Sequence, residues 1–106
     1  MSTKIYNKLI RDKIPKIIEA TGKSPIVEKV SDYVYVTLLN QKLTEELQEY
    51  LDSNDIEELA DLVEVIYAIL DSRNISIQDF ESIRLNKVLK RGAFKERLLL
   101  KEVVDD

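Results

Sequence analysis

Two pairs of carboxylates at helical spacing are the residues of this chain best suited to chemistry. Glu46 and Glu49 stand three apart in Glu45-Glu46-Leu47-Gln48-Glu49, and Glu58 and Asp61 three apart in Glu58-Leu59-Ala60-Asp61. Residues three apart share one side of a helix, so each pair projects from one face of its own segment, where like charges repel. From Glu45 to Asp71 there are ten acidic residues and no basic one. A divalent cation would turn that repulsion into binding. Four carboxylates facing each other across a helix pair make a hard-oxygen site suited to Mg²⁺ or Mn²⁺, and Mg²⁺ usually keeps several waters and is completed by substrate phosphates. Such a cation polarises a phosphorus–oxygen bond and activates water, while a neighbouring carboxylate, Glu45 or Glu49, could orient that water or accept its proton. A solvated acidic helix face is the competing account of either pair alone. The two pairs together, one beside a nearly all-apolar segment, favour the metal site.

What the chain lacks narrows the chemistry. It has no cysteine and no histidine. Disulfides, thiolate nucleophiles, imidazole bases and zinc sites built on either ligand are therefore excluded. No glycine-rich phosphate loop is present, which argues against a Walker-type or Rossmann nucleotide site. Cationic groups are grouped at the two ends of the sequence. Residues 4–16 hold Lys4, Lys8, Arg11, Lys13 and Lys16 against Asp12, and residues 84–97 hold Arg84, Lys87, Lys90, Arg91, Lys95 and Arg97 against Glu96. Arg84, Lys87 and Arg91 fall at i, i+3 and i+7 and form one basic stripe; it is a natural counterpart of phosphate oxygens, although such a stripe alone is more often a solvated face or a set of surface ion pairs. The net charge of −4 argues against binding to a nucleic-acid polymer. Tyr33, Tyr35, Tyr50 and Tyr67 read as core or interface residues with a polar tip.

These side chains need elements to hold them. With 106 residues, 44% hydrophobic and 34% charged, and only two glycines and two prolines, the chain reads as one helix-rich domain spanning residues 1–106. It is near the size at which pairing with a second copy helps to bury apolar surface. A first helix is expected from Ile10 to Thr21, stopped at Gly22, with Pro15 in its first turn or at a kink. A long helix should start at Ser31 or Asp32 and run to about Leu51, with Val36, Leu39, Leu43, Leu47 and Tyr50 as its core stripe. Asp52-Ser53-Asn54-Asp55 makes a turn, followed by a helix from Ile56 to Asp71. Between Leu62 and Leu70 only Glu64 is charged, so this helix is expected at the centre of the fold. A turn so short packs the two helices antiparallel and brings the acidic pairs together at the margin of a core. Ser76 should cap a last helix reaching Arg91, terminated by Gly92. The alternation in Phe94 to Val104 suggests a strand, paired with residues 26–30. No apolar run approaches a membrane span and no signal peptide opens the chain, so the cytoplasm is the expected compartment.

The run Lys42-Leu43-Thr44-Glu45-Glu46-Leu47-Gln48-Glu49, with Glu57-Glu58-Leu59-Ala60-Asp61-Leu62-Val63-Glu64-Val65-Ile66 after it, resembles the EExxE…ExxD signature of the all-α NTP pyrophosphohydrolases, the MazG-like superfamily. Tyr6-Asn7-Lys8-Leu9-Ile10-Arg11-Asp12-Lys13-Ile14-Pro15 resembles the opening of small phosphoribosyl-ATP pyrophosphohydrolase-like house-cleaning proteins, and Asn86-Lys87 with Lys90-Arg91-Gly92-Ala93-Phe94 resembles their ending. The similarity runs in order over nearly the whole chain.

The resemblance implies a mostly α helical bundle of the MazG-like kind, to which the alternation near the end of the chain could add one small strand pair. It further implies Mg²⁺ (or Mn²⁺) held by Glu46, Glu49, Glu58 and Asp61, and a nucleoside triphosphate cut between its α and β phosphates. Lys8, Arg11, Lys13, Lys87 and Arg91 become the implied phosphate contacts, and Glu45, Glu46 and Glu49 the residues closest to the reaction. A homo-oligomer, dimer or tetramer, is implied as well. The chain departs from true phosphoribosyl-ATP enzymes at both termini, which argues against a role in histidine synthesis. The alternative is a non-catalytic helical module of the same fold that senses a nucleotide or binds a protein.

Overall fold

The computed structural model describes residues 2–105. Among them the chain forms four helices and no strand: α1 (Ile14–Ala20), α2 (Asp32–Ser53), α3 (Ile56–Ser72) and α4 (Ile77–Arg91). The class is therefore mostly α. The chain divides into two compact units, one ending at Asn74 and the other beginning at Ile75.

The first unit is built on the α2–α3 hairpin, and local chemistry fixes both ends of its turn. The Ser31 hydroxyl accepts a hydrogen bond from the Val34 amide at 3.3 Å and so opens α2. Asn54 closes the helix in the left-handed conformation (φ 56°), its amide donating to the Tyr50 carbonyl at 2.7 Å. The next residue, Asp55, opens α3 by accepting from the Glu57 amide at 3.0 Å. Two residues thus reverse the chain, and α2 and α3 pack against each other as antiparallel neighbours.

The enclosed apolar residues of this hairpin are Leu39, Val65 and Leu70, joined by the carboxylate of Glu46. Leu43 and Tyr50 of the expected α2 stripe are half-buried, but Val36 and Leu47 are 43% and 46% exposed. The seam runs through Glu46 in place of Leu47. A single facing helix covers only part of an apolar stripe, and α3 lies against the side on which residue 46 points.

α1 begins at Ile14, four residues later than the apolar pattern suggests. Pro15 stands in its first turn, where a missing amide hydrogen costs nothing; earlier helical turns would drive the proline ring into the Arg11 carbonyl, four residues back. Residues 2–13 are consequently neither helix nor strand. Gly22, at φ 86°, ends α1 and donates to the Glu19 carbonyl at 2.9 Å.

In the second unit Ser76 caps α4 by accepting from the Asp79 amide at 3.1 Å, and Gly92 (φ 85°) ends it. The expected strand pair does not form. Residues 26–30 and 94–104 are both without strand structure, with Ile26 and Phe94 each 98% exposed. The Arg97 amide instead donates to the Phe94 carbonyl in a turn, with Arg97 at φ 60°. Alternating apolar residues permit a strand, but a lone pair of short strands is marginal in water, and Pro25 removes a donor at one end. No described helix is long and apolar enough to cross a membrane.

Candidate metal centre

Glu46 and Glu49 lie in the last turns of α2, and Glu58 and Asp61 in the first turns of α3, so the hairpin turn brings the two pairs face to face. Glu46, Glu58 and Asp61 each present a carboxylate oxygen within 4.8 Å of the others, and Glu45, Glu46 and Glu49 do the same. Glu46 belongs to both groups. Glu46 thus joins Glu49 on one side to Glu58 and Asp61 on the other, and Glu49 is near enough to Glu58 to raise its pKa.

The cluster's electrostatics are those of like charges held close together, with Glu46 buried and Glu58 and Asp61 half-buried. Burial raises the pKa of Glu46, as does Glu49 beside it, while Lys42 offsets part of the rise and Asp61 adds to it. Glu58 is pushed up to about 7 by loss of water, then by Glu49, then by the charges of Asp61 and Glu46. One oxygen of each residue, Glu46 Oε2 and Glu58 Oε2, is buried with no hydrogen-bond partner. Glu46 as a whole is only 6% exposed. A buried carboxylate oxygen without a donor is costly, and native folds leave few of them. The donor set is all oxygen and rich in negative charge, and it has two enclosed atoms that lack a positive partner. This fits Mg²⁺ or Mn²⁺, with Glu46, Glu49, Glu58 and Asp61 as the residues that would hold it.

Three cations border the cluster. Lys8 Nζ lies 2.9 Å from Glu45 Oε1, and Arg11 Nη2 lies 2.6 Å from Asp61 Oδ1. Lys42 Nζ is 3.7 Å from Glu45 and 3.5 Å from Glu46. The hydrogen bond and charge of Lys8 hold Glu45 below the usual carboxylate range, with Lys42 helping, and Glu45 in turn raises the pKa of Lys8. Two of the expected phosphate contacts, Lys8 and Arg11, therefore stand against the acids. Lys13 is the exposed residue that precedes α1. Lys87 and Arg91 are exposed on α4 in the second unit, and Arg84 of the same stripe is engaged by Glu81 at 2.8 Å. Lys42 is a functional candidate that sequence reasoning passed over, although its i+3 and i+4 spacing to Glu45 and Glu46 signals it.

An open cleft of about 370 Å³ reaches the cluster between the residues around Ile10 and the hairpin. Leu9, Ile10, Tyr35 and Leu39 form its apolar wall, with Glu46 and Asp61 among its polar groups. A shallower concavity of about 560 Å³ lies along another face of α3, lined by Ile56, Leu59, Ala60, Val63 and Tyr67, with Arg11 at its edge.

No protein-family model matches the chain, and no solved structure matches it significantly. An uncharacterized protein of Mycolicibacterium smegmatis is 43% identical over 42 residues, which is 40% of this chain and 43% of that protein. The chain thus spans less than half the length of the curated relative it matches.

Proposed function

We propose that this chain is a Mg²⁺-dependent nucleoside triphosphate pyrophosphohydrolase of the house-cleaning, MazG-like kind, releasing a nucleoside monophosphate and pyrophosphate; Mn²⁺ can substitute. The observation that carries the reading is the buried carboxylate of Glu46, whose Oε2 has no hydrogen-bond partner and which presents an oxygen within 4.8 Å of oxygens of Glu58 and Asp61. When bound, the divalent ion supplies positive charge against the phosphate oxygens and acidifies the attacking water. Glu46, Glu49, Glu58 and Asp61 fix its place at the hairpin. Glu45 is pinned by Lys8 and its pKa is lowered, so it orients water as an acceptor and is a poor base. Glu49, which lies close to both Glu46 and Glu58, is the other carboxylate that could orient that water. Lys8 and Arg11, which stand against Glu45 and Asp61, would meet phosphate oxygens at the rim; a part for Lys13, Lys87 and Arg91 rests on the sequence resemblance alone. Positioning and electrostatics supply most of the rate in such reactions.

The test is a panel of nucleoside triphosphates incubated with Mg²⁺ and assayed for pyrophosphate. Pyrophosphate in equal yield with the monophosphate is the expected result. Orthophosphate as sole product, or no turnover of any triphosphate, would sink the reading. One observation favours the rival, a non-catalytic nucleotide-sensing or protein-binding module: Lys8 and Arg11 already neutralise two of the acids. That module would bind a triphosphate and release nothing.

A homo-oligomer belongs to the same reading. The outer face of α3 leaves Ile56 74% and Val63 42% exposed, and three enclosed apolar residues are a small core for a hairpin of this length. A second copy covering that face gives a dimer or tetramer by light scattering.

A further inference from the structure

We infer that Arg11 is an exchangeable counter-ion of the metal centre: it holds Asp61 while the cation is absent, yields Asp61 to the cation, and turns to a phosphate oxygen of the substrate. This role rests on the metal site proposed above, and four observations support it. Asp61 is asked to do two things, since one of its oxygens lies within 4.8 Å of Glu46 and Glu58 while Oδ1 accepts from Arg11 at 2.6 Å. The ion pair is half in water, with 57% of the Arg11 side chain and 39% of the Asp61 side chain exposed, and pairs of that kind are weak enough to exchange. Arg11 sits in the non-helical stretch before α1, where its carbonyl accepts from the Ile14 amide at 3.1 Å, and its exposed guanidinium can turn by side-chain rotation without breaking that bond. It also lines both open concavities, one of which Asp61 lines as well, and so has space to swing into.

Lys42 makes the contrast. It stands on α2 itself, four residues before Glu46, and is 21% exposed, so it stays beside the acids whatever else arrives. Arg11 is the cation that can leave, and a planar guanidinium is well suited to phosphate once it does. The unpartnered oxygens of Glu46 and Glu58 draw a cation in, and the release of Asp61 completes the set that holds it.

The experiment compares wild type, Arg11→Gln and Lys16→Gln in titrations with Mn²⁺ alone, read by the resonance of the free ion, and then with inorganic triphosphate at saturating Mn²⁺. Lys16 lies on α1 without an ion partner among the described residues, and its loss changes the net charge equally. Arg11→Gln is expected to bind Mn²⁺ about three- to five-fold more tightly than wild type, as removal of a weak competing pair implies. The same variant should bind triphosphate more weakly, by at least about three-fold. Lys16→Gln should show neither change. Opposite signs in one variant are the signature of exchange; a purely structural pair would not produce them. Unchanged or weaker Mn²⁺ binding by Arg11→Gln, beside a wild type that binds, overturns the exchange alone. Equal tightening in Lys16→Gln also overturns it, in favour of bulk charge. A wild type that binds no Mn²⁺ overturns the metal site and this role together.

Discussion

Glu58 on α3 and Glu81 on α4 are the same side chain, each with a charged residue three positions on, and their electrostatics run in opposite directions. Glu81 meets Arg84, whose Nε and Nη2 donate to it at 3.0 and 2.8 Å, and that pairing holds its pKa below the usual carboxylate range. Glu58 meets Asp61, with Glu49 and Glu46 across the hairpin, and is pushed up to about 7. Glu81 has settled its charge within one helical turn, as surface residues commonly do. Glu58 has been brought by the hairpin to a place where its charge has no protein answer on one oxygen. Identical local spacing therefore marks an ordinary ion pair in one unit and a candidate cation site in the other. What separates them is the sign of the neighbour and the presence of a second helix.

The contrast is broken most sharply by removing charge from each side in turn. Glu46→Gln and Asp61→Asn should each lower pyrophosphate release by at least about 100-fold, the scale of losing a group that holds the reacting charge. Both variants should keep the helical circular dichroism of the parent, because neutralising one acid relieves repulsion. Glu81→Gln should leave the rate unchanged. If Glu81→Gln cost as much as Asp61→Asn, the difference between the two carboxylates would have no functional meaning.

A second effect appears in stability against pH, measured by thermal melts without divalent ions. The folded pKa of Glu58 lies above its ordinary 4.5, so between about 4.5 and about 7 the folded chain binds more protons than the unfolded one. The contribution of Glu58 is most favourable below about 4.5 and is lost as pH rises through about 7. Glu46 acts in the same direction. Mg²⁺ should flatten this decline, since the bound cation favours the ionised carboxylates, and Glu58→Gln should flatten it without metal. A decline unaffected by either change would mean that the cluster does not titrate as its burial implies.

The parts of this molecule legible in sequence are those fixed by neighbours. Ser31, Asp55 and Ser76 cap helices through amides two or three residues away, so the starts of α2, α3 and α4 follow from local chemistry. The acid cluster was equally legible, because i+3 spacing and a two-residue turn together leave the pairs few places to go. Apolarity misled at Leu47, where Glu46 enters the seam instead; it could not report on which side the partner helix lies. Proline geometry shortened α1 where the apolar pattern alone extended it. The Arg11–Asp61 pair spans 50 residues and depends on the path of the segment before α1, which no periodicity encodes. The absent strand pair has the same origin: alternation describes a segment, whereas a ladder needs an edge to join.

The smallest effect completes the comparison. Glu81 and Arg84 are a surface pair, with side chains 40% and 53% exposed, and pairs in that setting contribute little after side-chain entropy and screening are counted. Glu81→Gln should therefore shift the melting temperature at neutral pH by an amount at the edge of detection. Its sign with pH is the reverse of that for Glu58. With a folded pKa below 4.5, Glu81 contributes stability that is present above that value and lost as pH falls through the folded one. The slight destabilisation by Glu81→Gln should accordingly vanish in acid and shrink in concentrated salt, where an exposed pair is screened. The stabilisation expected from Glu58→Gln without metal should instead grow as pH rises toward 7, because only the ionised form is penalised. Melts of the two variants across pH would thus diverge from the parent in opposite directions. Parallel curves would show that the neighbours of Glu58 and Glu81 act on them alike, and the candidate metal centre would lose its electrostatic foundation.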